Sequence, residues 1–85
     1  MNATSVKPEV IRRLKEAFPD AQLELTDTTG TDDHWDLQIA ADGLQGMPRV
    51  RQHQAVYRPL RDLIDSNRVH ALNIKIFTHD EWNDR

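Results

Sequence analysis

Cysteine is absent from these 85 residues, and that gap removes several kinds of chemistry at once. A chain without thiols forms no disulfide staple, offers no thiolate nucleophile and cannot build an all-cysteine metal site. A metal held through histidine, or shared with a partner that brings sulfur, stays within reach of the composition. No apolar run approaches the roughly 20 residues that a membrane-spanning helix needs. The opening stretch Met1 to Lys7 has no apolar signal segment, so a cytoplasmic location is expected. Basic excess is missing too: the net charge of −3 argues against indiscriminate coating of nucleic acid. There is no phosphate-cradling loop, nucleophile elbow or zinc-protease helix. Asp32-Asp33 reads as a loop pair and Asp80-Glu81 as part of a helix cap, so neither makes a catalytic dyad. The chain is not expected to be an enzyme.

What is present suits one small globular domain over residues 1–85, with 38% hydrophobic and 29% charged residues. From Pro8 to Phe18, Val10, Ile11, Leu14, Ala17 and Phe18 recur at helical spacing. Ser5 is the expected N-cap and Pro19 the stop. Gln22 to Thr26 alternates as a half-buried strand, with Leu23 and Leu25 on one side. Asp27 to Asp33 reads as a hairpin loop around Gly30. A second strand then places Trp35, Leu37, Ile39 and Ala41 on one face, and His34, Asp36 and Gln38 on the other. From Arg49 to Asn67 helical spacing returns through Val50, Val56, Tyr57, Leu60, Leu63 and Ile64. Pro59 inside that run predicts a kink or two shorter helices, and Asn67 a left-handed cap. Val69 to Phe77 is a third strand, with His70, Leu72, Ile74 and Ile76 sharing a face. Thr78-His79-Asp80-Glu81 matches a capping box opening a last short helix.

The order is therefore α-β-β-α-β(-α), an α+β domain in which a three-stranded sheet carries helices packed on one face. The long helical region between the second and third strands permits a parallel pairing somewhere in the sheet; the strand order is left open.

Two stretches stand out within that frame. One is Gly46-Met47-Pro48-Arg49-Val50-Arg51-Gln52-His53-Gln54-Ala55-Val56-Tyr57. The other is Val69-His70-Ala71-Leu72, followed by Thr78 to Trp82. With His34-Trp35 at the start of the second strand, these pieces in this order resemble the BolA family, and within it the bacterial IbaG-like branch. The resemblance runs from about Asp33 to Arg85 and is weaker before that. It implies a fold related to class II KH domains and a partnership with monothiol glutaredoxins in iron–sulfur trafficking, or in stress and iron signalling. Some bacterial members are described as DNA-binding regulators. The family's ligand histidine at the start of the last strand corresponds to His70. Its second ligand usually comes from the loop between the first two strands; here that loop has no cysteine, and His34 at its end is the nearest candidate. Gln52-His53-Gln54 also stands where many relatives carry a more basic Arg-His-Arg.

A [2Fe–2S] cluster takes four ligands, and histidine can replace cysteine on one iron. Alone, this chain is expected to hold none. With a glutaredoxin thiolate and glutathione it would complete a shared cluster through His70, and through His34 if that residue is the second ligand. On the residues alone, a histidine at the entrance of a strand ordinarily bonds locally, and the resemblance is what reverses that order for His70. His53 is expected to be structural and His79 to face solvent. The apo chain is expected as a monomer or weak homodimer, with no membrane association.

The competing reading is a DNA- or RNA-binding regulator. Arg49, Arg51, Arg58 and Arg61 fall within a stretch without acidic residues and could contact phosphates. Gly43-Leu44-Gln45-Gly46 has the spacing of a KH clamp loop but brings no lysine or arginine. An ordinary solvated helix face explains the arginines equally well, as does steering of an acidic protein partner.

Overall fold

A computed structural model describes residues 5–85. The first four residues of the opening stretch, and of the 1–85 domain reading, lie outside the described residues. Helix α1 spans Lys7–Ala17 with a proline in its first turn, and buries Val10 and Leu14. Its exposed side is laced by Arg12 and Arg13, both paired to Glu9, and by Arg12 to Glu16 at 2.8 Å. The N-cap is Val6 rather than Ser5. Ser5 Oγ still accepts the Lys7 N–H at 3.1 Å, but the Val6 N–H is taken by Asp32 Oδ2 at 3.0 Å. A carboxylate from a distant loop joins the local hydroxyl at the helix start, which suits the positive end of the helix.

Strand β1, Gln22–Asp27, pairs antiparallel with β2, His34–Ala40, and β2 pairs parallel with β3, Ala71–Phe77, so the order is β1-β2-β3. The register sets Leu25 opposite Leu37, Leu37 beside Ile74 and Trp35 beside Leu72, which gathers the apolar alternates on one face. Leu37 and Ile39 on the central strand are fully covered, and burial of each contributes about 1.5–3 kcal/mol. Trp35 Nε1 is the buried side-chain polar atom without a partner among the described residues.

The helical crossover from β2 to β3 breaks at Pro59 as expected. Helix α2, Arg49–Tyr57, passes through a 3-10 turn at Arg58–Leu60 into α3, Arg61–Asp65. Val56, Leu60 and Leu63 turn inward onto α1 and the sheet. Val50, expected on that apolar side, is instead 64% exposed, because α2 begins beyond the edge of the core. Arg13 ties the two layers together, reaching Pro59 O at 3.2 Å and the Asp62 carboxylate. Asn67 closes the crossover at φ +63°, the left-handed cap its side chain tolerates.

Helices α1–α3 cover the apolar face of the sheet. The last helix, α4, His79–Asn83, opens with the expected capping box between Thr78 and Glu81. It lies against the other, polar face. Trp82 meets Phe77 edge-on at 5.9 Å, and Arg85 stacks on Trp82 while bonding Glu24 and Gln38. No helix of the described residues is long and apolar enough to cross a membrane.

Candidate metal centre

The loop between β1 and β2 is built by its own carboxylates. Asp27 Oδ1 accepts the N–H groups of Thr29 and Gly30, and its Oδ2 accepts that of Asp32 at 3.0 Å. This folds Thr28 to Asp33 back on itself, with Gly30 at φ +75° and Asp32 at φ +63°. Asp32 then anchors the loop to the start of α1, as described above. The loop that precedes His34 is thus held at both ends.

Asp33 is where that rigidity is passed on. Its backbone carbonyl accepts the N–H of His70 at 2.8 Å and of Ala71 at 3.1 Å, which fixes the entrance of β3. Its carboxylate accepts from Thr31 Oγ1 and contacts His34 Nδ1 at 2.8 Å. Those partners, the Thr31 hydroxyl first and the His34 ring second, hold the Asp33 carboxyl below the usual carboxylate range. One residue therefore touches both histidines: its carboxylate meets the His34 ring, and its carbonyl fixes the His70 backbone while leaving that ring unbonded.

The two rings lie side by side. Their centroids are 5.0 Å apart and their planes are inclined by 47°. His70 precedes β3 rather than lying within it, so the strand's alternation does not bind its side chain. Contrary to the expectation that it shares a face with Leu72, its exposed ring meets His34, which belongs to the polar face of β2. Among the described residues no side-chain hydrogen bond occupies either ring nitrogen of His70. His34 is 38% exposed, and with Nδ1 turned to Asp33 its Nε2 is left to the outside. Two ligands of one metal at about 2.0–2.1 Å stand some 3–3.4 Å apart, so to share one these rings would each turn a nitrogen towards the same point. Carboxylate, imidazole and open nitrogen in a row is the arrangement by which ligating histidines are usually oriented.

As a donor set the pair is incomplete. Two imidazoles without a thiolate cannot supply the four ligands of a [2Fe–2S] cluster, but they fit the minority share of one whose sulfur ligands come from elsewhere. The exposed position on the rim of the sheet leaves room for such a donor. The sequence reading names both histidines as candidates and lacks the Asp33 contact. The signal was present as an aspartate immediately before a candidate ligand, and it was read only as half of a loop pair.

The arginines are dispersed. Arg51 and Arg58, seven residues apart and so on one side of the crossover helices, line a concavity with Met47, Gln54 and Ala55. Arg49 points into a separate groove of about 440 Å³ between α2 and the free edge of β3, shared with Gln52, His53, Asn73 and Lys75. Arg61 lies in a third hollow with Tyr57, Ile64 and Asp65. His53 is half-buried in the groove wall. Of the Gly43-Leu44-Gln45-Gly46 stretch, Leu44 is fully buried in a 3-10 turn, and Gly46 sits at φ +78°.

His79 departs from expectation. It is only 31% exposed, with Nδ1 at 2.6 Å from Gln22 Oε1 and Nε2 at 3.1 Å from Asp20 Oδ2. Placing α4 across the polar face of the sheet turns its first residue inward onto β1, which the helix pattern alone does not reveal.

Comparison with known proteins gives these features a family. A family model described as BolA-like protein matches residues 12–81. A protein encoded in the rpoN–murA intergenic region of Acinetobacter guillouiae is 41% identical over 69 residues, covering 81% of this chain and 80% of its own. The acid stress protein IbaG of Escherichia coli K12 is 37% identical over 60 residues, 71% of each chain. Among solved structures, the BolA domain of SufE1 from Arabidopsis thaliana superposes with a TM-score of 0.80 at 27% identity, covering 94% of this chain and 99% of that one.

Proposed function

The chain belongs to the BolA-like family, and from that premise we propose that it is a non-enzymatic adaptor that binds a monothiol glutaredoxin and shares ligation of a [2Fe–2S] cluster. His70 is the principal ligand in this reading and His34 the second candidate, with glutaredoxin and glutathione supplying sulfur. The observation that carries it is the 5.0 Å approach of two partly exposed imidazoles, one of them held by the Asp33 carboxylate, in a domain that has no thiol of its own. The resident groups hold and orient; the cluster's redox chemistry belongs to the bound group.

Histidine ligation gives the role its character. An imidazole binds metal only when unprotonated, so protons compete with iron as the medium acidifies. A site of this kind suits transfer or sensing better than storage. The name of the E. coli relative, an acid stress protein, is in keeping with such a role in stress or iron signalling. A cytoplasmic location, where glutaredoxins work, follows from the same reading, with the apo protein a monomer or weak homodimer.

The test is to mix the protein with cluster-loaded monothiol glutaredoxin and record visible absorption and circular dichroism. New bands should develop with saturation, and His70→Ala should abolish them without loss of fold. A spectrum that does not change, or that changes equally with the variant, rules out the ligand assignment.

A second reading rests on the groove between α2 and β3, where Arg49, His53 and Lys75 flank an unpaired strand edge. In that reading the groove holds a nucleic-acid strand, with Arg51, Arg58 and Arg61 as outlying phosphate contacts. Binding should then weaken steeply with salt and be lost in Arg49→Ala/Lys75→Ala. Absence of binding to single or double strands at low salt removes it.

A further inference from the structure

At the far end of β2 from His34, roughly 20 Å along the strand, lies a second group of metal-ligating side chains. Asp20 comes from the turn after α1, Asp42 from the segment after β2, and His79 from the first residue of α4. One donor atom from each lies within 4.8 Å of the others. His79 Nε2 stands 3.1 Å from Asp20 Oδ2 and 3.5 Å from Asp42 Oδ1. Donors on one metal at bond lengths near 2.1 Å are separated by about 3.0–3.4 Å, so the spacing is that of neighbouring ligands.

The ring's other contact decides what those distances mean. Gln22, outside the group, presents its amide oxygen to His79 Nδ1 at 2.6 Å. An amide oxygen only accepts, so Nδ1 carries a proton, and a ring protonated there alone turns its Nε2 lone pair towards two carboxylates. Lone pair and carboxylates repel unless a cation sits between them, either a second proton on the ring or a metal. Asp20 can face either. One lone pair of Oδ2 is spent on the Asp42 N–H at 2.7 Å, and that bond, with the His79 ring second, favours its charged form.

We infer that Asp20, Asp42 and His79 form a second cation site, independent of the His34–His70 pair, which takes a divalent transition metal of the zinc class with water completing its coordination. One imidazole with two carboxylates and no sulfur is a borderline donor set that favours Zn²⁺ over Mg²⁺, which keeps to oxygen. Gln22 is its positioning residue, in the manner of an outer-shell acceptor on a ligating histidine. The metal would join three separate segments and pin α4 to the sheet, so its binding should stabilise the fold.

The experiment uses the full chain carrying His34→Ala and His70→Ala, so that the other pair cannot contribute. Zn²⁺ is titrated at pH 7.5, followed by calorimetry and by the imidazole resonances in NMR. The His79 ring should shift saturably, while Mg²⁺ at the same concentration leaves it in place. Asp42→Asn is the clean probe, because that side chain is 82% exposed and among the described residues its carboxylate meets His79 alone. It should weaken Zn²⁺ binding by about tenfold or more, and Gln22→Leu by about tenfold. If the His79 ring ignores millimolar Zn²⁺, or answers it equally in Asp42→Asn, the cation is a proton and the group is an ion pair. Either outcome leaves the glutaredoxin reading untouched.

Discussion

Removing the Asp33 carboxylate tests how the histidine pair is set. Asp33→Ala deletes the acceptor of His34 Nδ1 but spares the carbonyl that receives the His70 and Ala71 N–H groups, so the sheet and the path of β3 should survive. The freed ring can then exchange its proton between nitrogens and rotate, and only the form with Nε2 unprotonated can ligate through that nitrogen. Apparent affinity falls in proportion to the competent fraction. Outer-shell partners of ligating histidines are worth about 10–100-fold in metal affinity. Asp33 and His34 are 36% and 38% exposed, so water can replace part of the lost contact, and the expected loss is about tenfold, at the lower end of that range. Asp33→Asn keeps an acceptor oxygen and should lose less. The assay is the midpoint of the titration with cluster-loaded glutaredoxin, alongside ¹⁵N chemical shifts of the His34 ring, which report the tautomer. A midpoint within twofold of the parent, together with an unchanged tautomer, would refute the clamp even if His70 proved to be a ligand.

Three further outcomes follow from the fold. Leu37→Ala, in the middle of the central strand, should cost about 2–5 kcal/mol, read as a lower urea midpoint at an unchanged slope; a loss below about 1 kcal/mol would mean that the core has collapsed around the gap. Glu9, held at about 2 against an ordinary 4.5 by Arg12 and then Arg13, is a depressed carboxylate. Its stabilisation is full above 4.5 and is lost as pH falls towards 2, so Glu9→Gln should flatten the acid limb of stability in that window. That difference should shrink in 1 M salt, since the network is exposed. At Asn67, φ +63° predicts that Asn67→Ala costs about 1 kcal/mol while Asn67→Gly is near neutral by thermal melting.

Residues whose role is local were legible in the sequence. Pro59 breaks the crossover, Asn67 takes the left-handed turn and Thr78 with Glu81 closes the capping box, because each effect is decided within four residues of chain. The apolar alternation of β2 likewise foretold which side of the sheet is buried. The helix start shows the opposite case: beside Ser5, which still accepts the Lys7 N–H, stands Asp32 from 26 residues downstream of Val6, a partner no local pattern reveals. Val50 fits the helical period, but periodicity does not say where a helix begins relative to the core.

The sequence by itself determined the element order, the burial face of each strand, the lack of any thiol chemistry and, through resemblance, the two histidines to watch. Only the tertiary structure decided that these rings meet, that one loop aspartate touches both residues, and that His79 turns inward to Asp20 and Asp42. The physical reason is range. Hydrophobic period and capping act over a few residues, whereas the parallel return of β3 beside β2 and the fold of α4 onto the polar face join groups dozens of positions apart.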